Sequence, residues 1–196
     1  MAETTVDLKC PGCGAGVTTD QKVCAFCGRP VVVCSFNDVY TMSLADVQAY
    51  AGSYESQNAL FSNGGSLRHS LGMCYLKLRL YDKAVAAFSE AIEHRLNNSE
   101  LYFFAAVALL RGKKAFVADR KTIDTAVEYV NAALALENRG IYYYFLAYLK
   151  YDYFERKFLN TTPNYKACLQ AATDRGVSDF DKQMLFDVLS VANPFS

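Results

Sequence analysis

Leu71-Gly72-Met73-Cys74-Tyr75, followed after a short break by Ala84-Val85-Ala86-Ala87-Phe88-Ser89-Glu90-Ala91, decides how this chain folds. Gly72 and Ala84 are small enough to let two helices approach closely, while Tyr75 and Phe88 fill the space beside them. The spacing predicts an antiparallel helix pair near 66–79 and 82–95, with Asp82 capping the second helix. Working outward, the pattern recurs. Ser99 opens a second unit with Tyr102, Ala105, Ala106 and Leu109 at the places of Arg68, Leu71, Gly72 and Tyr75. Ala126, Val130 and Ala133 then stand at the places of Ala84, Phe88 and Ala91, after a turn from Arg111 to Lys121 that is eight residues longer. A third unit starts near Arg139, with Tyr142, Phe145, Leu146 and Leu149 in its first helix. Thr162-Pro163 reads as the opening of its partner, with Ala167 and Ala171 facing inward. Ser178, with Asp181 three residues on, opens a last helix to about Val191. Its apolar face (Leu185, Val188, Leu189, Ala192) suits a helix that seals the open end of a stack.

The Leu-Gly-x-x-Tyr and Ala-x-x-x-Phe-x-x-Ala pair resembles the tetratricopeptide (TPR) repeat. Arg68 and Leu96 depart from the Trp and Pro common in that family. The resemblance implies a mostly α chain: a solenoid of helix pairs over 65–196 (units of about 65–98, 99–138 and 139–176, then a capping helix 178–192), with a small β module at the N-terminus.

That module reads Leu8-Lys-Cys-Pro-Gly-Cys-Gly and Cys24-Ala-Phe-Cys-Gly-Arg-Pro-Val-Val-Val33. Cys10, Cys13, Cys24 and Cys27 form two Cys-x-x-Cys pairs, each followed by a glycine that tolerates a tight turn around a metal. Four soft thiolates suit one Zn²⁺ in a closed, structural site with no open position. Iron could occupy the same cage; zinc is the better match. The segment 1–34 resembles the short zinc ribbon at the start of many bacterial proteins, with Val17-Thr18 and Val31–Val33 as its β-prone pieces. So small a module is expected to draw most of its folding energy from the metal. Cys34 reads as a buried thiol. Residues 35–64 read as a connector (Ser35 to Asp38) and helical segment opened by Ser43 with Asp46, burying Leu44, Val47, Ala51 and Tyr54, and ended by Ser62-Asn63-Gly64-Gly65.

Lys+Arg and Asp+Glu balance at 20 each, so no overall field favours nucleic acid or an anionic membrane. The apolar runs Leu101–Leu110 and Ile141–Leu149 are about half of the roughly 20 residues a bilayer requires. The N-terminus carries no signal-peptide pattern, and cysteines in metal-type spacing fit a reducing, cytoplasmic setting.

In the TPR family the first helices line a concave wall that grips a segment of another protein. Carried over, the resemblance places His69, Met73 and Lys77, then Phe103, Val107 and Arg111, then Tyr143, Ala147, Lys150 and Tyr151 on that wall. Such a wall would take a peptide with apolar anchors and acidic residues. No catalytic residues are expected: His69 and His94 sit in no metal or triad motif, and Cys74 and Cys168 read as core thiols. The expected role is a non-enzymatic protein–protein adaptor, with self-association through the tyrosine-rich helix left open. The alternative is a nucleic-acid accessory protein using the ribbon and the basic insertion 111–121, disfavoured because the ribbon has no excess positive charge.

Overall fold

The computed structural model describes residues 7–58, 65–94 and 97–195. The chain forms two compact units, Met1–Leu96 and Asn97–Ser196. None of its described helices is long and apolar enough to cross a membrane.

In the first unit, β1 (Asp7–Lys9) and β2 (Gly16–Thr18) pair antiparallel, with Leu8 opposite Val17. Both of those side chains are buried, as alternation along a short strand requires. Val31–Val33 was the other expected strand, and it is not one. Its first amide makes a backbone bond, Val31 N donating to Lys22 O (3.1 Å), next to an isolated bridge between Val23 and Pro30. Beyond that, side chains take its backbone: Tyr54 Oη accepts from Val33 N (3.1 Å) and donates to Val31 O (3.0 Å), while Ser70 Oγ donates to Val33 O. Burial still alternates along the stretch. Val31 and Val33 are buried, and Cys34 faces outward, which corrects the expectation of a buried thiol.

The connector expected at Ser35–Asp38 is a helix, α1 (Phe36–Thr41), because Ser35 accepts from Asn37 N and Phe36 and Val39 are fully buried. Ser43 and Asp46 open α2 (Leu44–Asn58) as anticipated, with Asp46 N donating to Ser43 Oγ at 3.1 Å. Val47, Ala51 and Tyr54 are buried, but Leu44 lies in the first turn, beyond what the helix packs on, and is exposed. Of the expected stop Ser62-Asn63-Gly64-Gly65, residues 62–64 lie outside the described residues and Gly65 begins the next helix.

α3 (Gly65–Lys77) and α4 (Tyr81–Glu93) make the helix pair. A methyl group on Gly72 would lie 2.6 Å from Phe88 Cε1, closer than carbon atoms approach, and Ala84, Phe88 and Ala91 are fully buried. Asp82 is inside the first turn of α4 rather than its cap; there it opposes the positive end of the helix dipole. Gly72→Ala is expected to lower stability by about 1–3 kcal/mol through overpacking against the Phe88 ring. A urea midpoint equal to wild type would refute that contact.

In the second unit α5 (Ser99–Leu109) packs on α6 (Arg120–Leu136), and α7 (Gly140–Leu149) on α8 (Tyr165–Asp174). The α5 cap is Asn98, one residue before the expected Ser99; it accepts from Glu100 N and Leu101 N. Ser99 is buried and bonds Tyr142 Oη at 2.9 Å. Ala126, Val130 and Ala133 are fully buried, in the register the sequence predicts. In α8 the cap is Asn164, not Thr162, and the buried stripe is Cys168 and Ala172, one residue later than Ala167 and Ala171. Close approach sets that register: a Cβ on Gly140 would meet Ala172 O at 2.8 Å.

α7 runs into a π-helical stretch, Lys150–Phe154. From Gly140 to Phe154 only Tyr143 and Tyr151 are partly exposed, so the tyrosine-rich helix is packed on every side. α9 (Asp179–Leu189) carries the predicted capping box between Ser178 and Asp181. It packs against both α5 and α7, with the Phe186 ring 5.3 Å from Tyr148 and 6.2 Å from Tyr144. Ala192, beyond its end, is exposed.

Candidate functional site

Two equivalent turns build the metal cluster. Gly14 N donates to Cys10 O and Gly28 N to Cys24 O, both at 2.9 Å, and both glycines have positive φ (76° and 71°). Each turn is then closed by its first cysteine, Cys10 N to Ala15 O and Cys24 N to Arg29 O. The turns face each other. Cys10 Sγ lies 3.5 Å from Cys27 Sγ and Cys13 Sγ 3.7 Å from Cys24 Sγ, and all four sulfurs fall within 4.8 Å of one another. A tetrahedral Zn²⁺ with bonds of ~2.3 Å spaces its sulfurs about 3.8 Å apart. The donor set therefore fits one structural Zn²⁺.

Charge explains why a cation belongs there. The amides of Phe26 and Cys27 help hold the Cys24 thiol down to about 7, whereas Cys13 is pushed up to about 12. At Cys13 the Ala15 amide pulls downward but is outweighed by burial and by the other three sulfurs. Four thiolates this close repel one another unless a divalent ion sits among them.

No protein-family model matches this chain, and no curated protein matches it.

The ribbon is keyed to α2 by side chains to which the sequence reading gave no such role. Tyr50 Oη donates to Pro30 O (2.8 Å), Ser53 Oγ to Lys9 O (2.6 Å), and Arg29 Nη1 pairs with Asp46 Oδ1 at 2.5 Å. With Leu8, Val17, Val31, Val33, Phe36, Tyr50 and Tyr54 all buried, the ribbon shares a core with the helices behind it, so the metal is not its sole support. The repeat of Tyr50 and Tyr54 at helical spacing was the available signal, since a buried phenol needs a hydrogen-bond partner.

The ten residues assigned to the wall fall into different environments. Six are buried: His69, Met73, Phe103, Val107, Ala147 and Lys150. Phe103 packs on the rings of α7, tilted 4.7 Å from Tyr142 and edge-on 5.7 Å from Phe145. Tyr143 is half-buried under Arg175 (4.4 Å), and Tyr151 packs on Tyr165 and Phe195. The three cations differ as well. Lys77 Nζ donates to Tyr40 O at 2.7 Å, where the C-terminal end of α1 carries partial negative charge. Lys150 donates to Thr161 Oγ1, and Arg111 is exposed.

The insertion 111–121 is ordered by the third helix pair. Ala115–Val117 forms a 3₁₀ turn whose amides are bound from α7 and its continuation: Ala115 N donates to Tyr148 Oη (3.2 Å) and Phe116 N to Asp152 Oδ2 (2.8 Å). Asp119 then caps α6.

Proposed function

We propose that this chain is a non-enzymatic protein–protein adaptor built from TPR-like helix pairs, with the zinc ribbon as a structural brace. The observation that carries this reading is the packing of α9 on both α5 and α7. A wall of first helices that takes one amphipathic helix from its own chain has the chemistry to take another of the same kind from a partner. Phe186 is the anchor, set edge-on against Tyr144 and Tyr148, with Phe195 against Tyr144 and Tyr151 beyond it. The partner segment on this reading is an amphipathic helix with aromatic anchors spaced as in α9.

The test is a pull-down from native extract, with partners identified by mass spectrometry, comparing the full chain with a chain ending at Val177. Removing α9 is expected to raise recovery of a specific partner several-fold, and a synthetic peptide of residues 178–195 to suppress it in trans. If the shortened chain stays folded and recovers nothing that the peptide displaces, the wall is not a recognition surface. Retention of the full chain on an oligonucleotide column at physiological salt would instead favour a nucleic-acid role.

A further inference from the structure

In the second unit the turn 111–121 and the turn 155–159 are brought together. Arg156 and Lys157 lie over the Phe116 ring, at 4.5 and 5.1 Å, and Lys157 also sits 3.8 Å from the centre of the Tyr153 ring. These contacts place the residues after them, Val117 and Phe158, on neighbouring turns. Both are exposed apolar tips: Val117 is 65% exposed and Phe158 96%.

Phe158 is unusual in a second way. Its backbone is left-handed (φ 57°), a conformation that costs a bulky side chain and favours glycine or asparagine. A phenyl group that packs on nothing and sits on a strained backbone is not there for folding. Cations outnumber acids on the two turns, Glu155 being the exposed acid beside Phe158. The segment 111–121 carries five Lys and Arg against Asp119 alone, and the carboxylate of Asp119 is committed to capping α6. Lys113, Lys114 and Lys121 are exposed. A chain of zero net charge thus gathers positive charge around two protruding apolar side chains.

We propose that these two turns form a docking surface for an anionic membrane. Phe158 and Val117 enter the headgroup–acyl boundary, and Lys113, Lys114 and Lys121 meet the anionic headgroups. The arrangement selects this occupant over others. A protruding phenyl needs a counter-surface that is apolar just beneath a negatively charged layer, and a lipid interface supplies both. Nucleic acid offers phosphate but its bases would need a flat aromatic platform rather than an isolated tip. Reversible, salt-sensitive attachment follows, since exposed charges are screened within about 10 Å at ordinary ionic strength.

Vesicle co-sedimentation of the full zinc-loaded chain tests this, using phosphatidylcholine vesicles with and without phosphatidylserine. Binding is expected only with phosphatidylserine and is expected to fall as salt rises. Changing Lys113, Lys114 and Lys121 together to Gln should weaken it about a hundredfold, at the usual gain per cation near such a surface. Phe158→Asn should weaken it about tenfold while folding at least as well, because asparagine tolerates the left-handed backbone. Equal binding to both vesicle types, no binding at low salt, or binding untouched by either variant would overturn the proposal. So would capture of a single-stranded oligonucleotide through these lysines with no vesicle binding.

Discussion

Cys24→Ser is expected to release the metal and unfold the front of the chain. The zinc content should drop from one ion per chain to none, and trypsin should then cut after Lys9 and Lys22, sites held rigid in the loaded ribbon. In small zinc modules the metal is worth about 10–16 kcal/mol at neutral pH, more than any other single contribution in the first unit. The side-chain bonds from Tyr50, Ser53 and Tyr54 fix where the ribbon sits, but each is worth only about 1 kcal/mol and all depend on the turns the metal closes. A chelator should give the same digestion pattern as the mutation. Lowering the pH should too, because protons compete with Zn²⁺ for the thiolates. An undigested ribbon after quantitative removal of zinc would mean that the core shared with α2 holds it without the ion.

Acid should also weaken the first unit through His69. Its imidazole is buried, Nε2 has no partner among the described residues, and burial pulls its pKa from the usual 6.5 to about 4. The folded state therefore holds it neutral where the unfolded chain already binds a proton. The stabilisation is complete above about 6.5, is lost as pH falls toward about 4, and changes no further below that. About 2.5 units at 1.36 kcal/mol each puts the loss on the order of 3 kcal/mol. His69→Leu should flatten this part of the pH–stability curve relative to wild type, measured by urea unfolding on zinc-loaded protein so that metal release is common to both. Parallel curves would assign the acid sensitivity elsewhere.

Local pattern made the helix pairs legible. The triple Ala126, Val130 and Ala133 and the Ser178–Asp181 box each follow from residues a few positions apart, and Gly72 against Phe88 from two successive helices joined by a short turn. The cysteine cluster was legible for the same reason, since spacing alone brings the two knuckles into being. What escaped depends on distant residues. Val31–Val33 has the composition of a strand, but Tyr54, over twenty positions later, takes the hydrogen bonds a neighbouring strand would have used. The register of α8 is set by Gly140 pressing on Ala172, which no property of residues 162–172 announces. Helical spacing placed residues on a common face, yet it could not say that α9 would lie on α5 and α7, or that the end of α1 would hold Lys77. Periodicity tells which side chains share a stripe; what covers the stripe is a property of the whole chain.

The aromatic packing around α7 has a consequence for how the protein is made. Tyr144, Tyr148 and Tyr151 are covered by Phe186 and Phe195, which leave the ribosome some forty positions later. Until then one flank of a very apolar helix stays wet on the nascent polypeptide. Biosynthesis of the rear half therefore passes through an interval in which chaperones, or neighbouring nascent chains, compete with the molecule's own C-terminal rings for the same tyrosines.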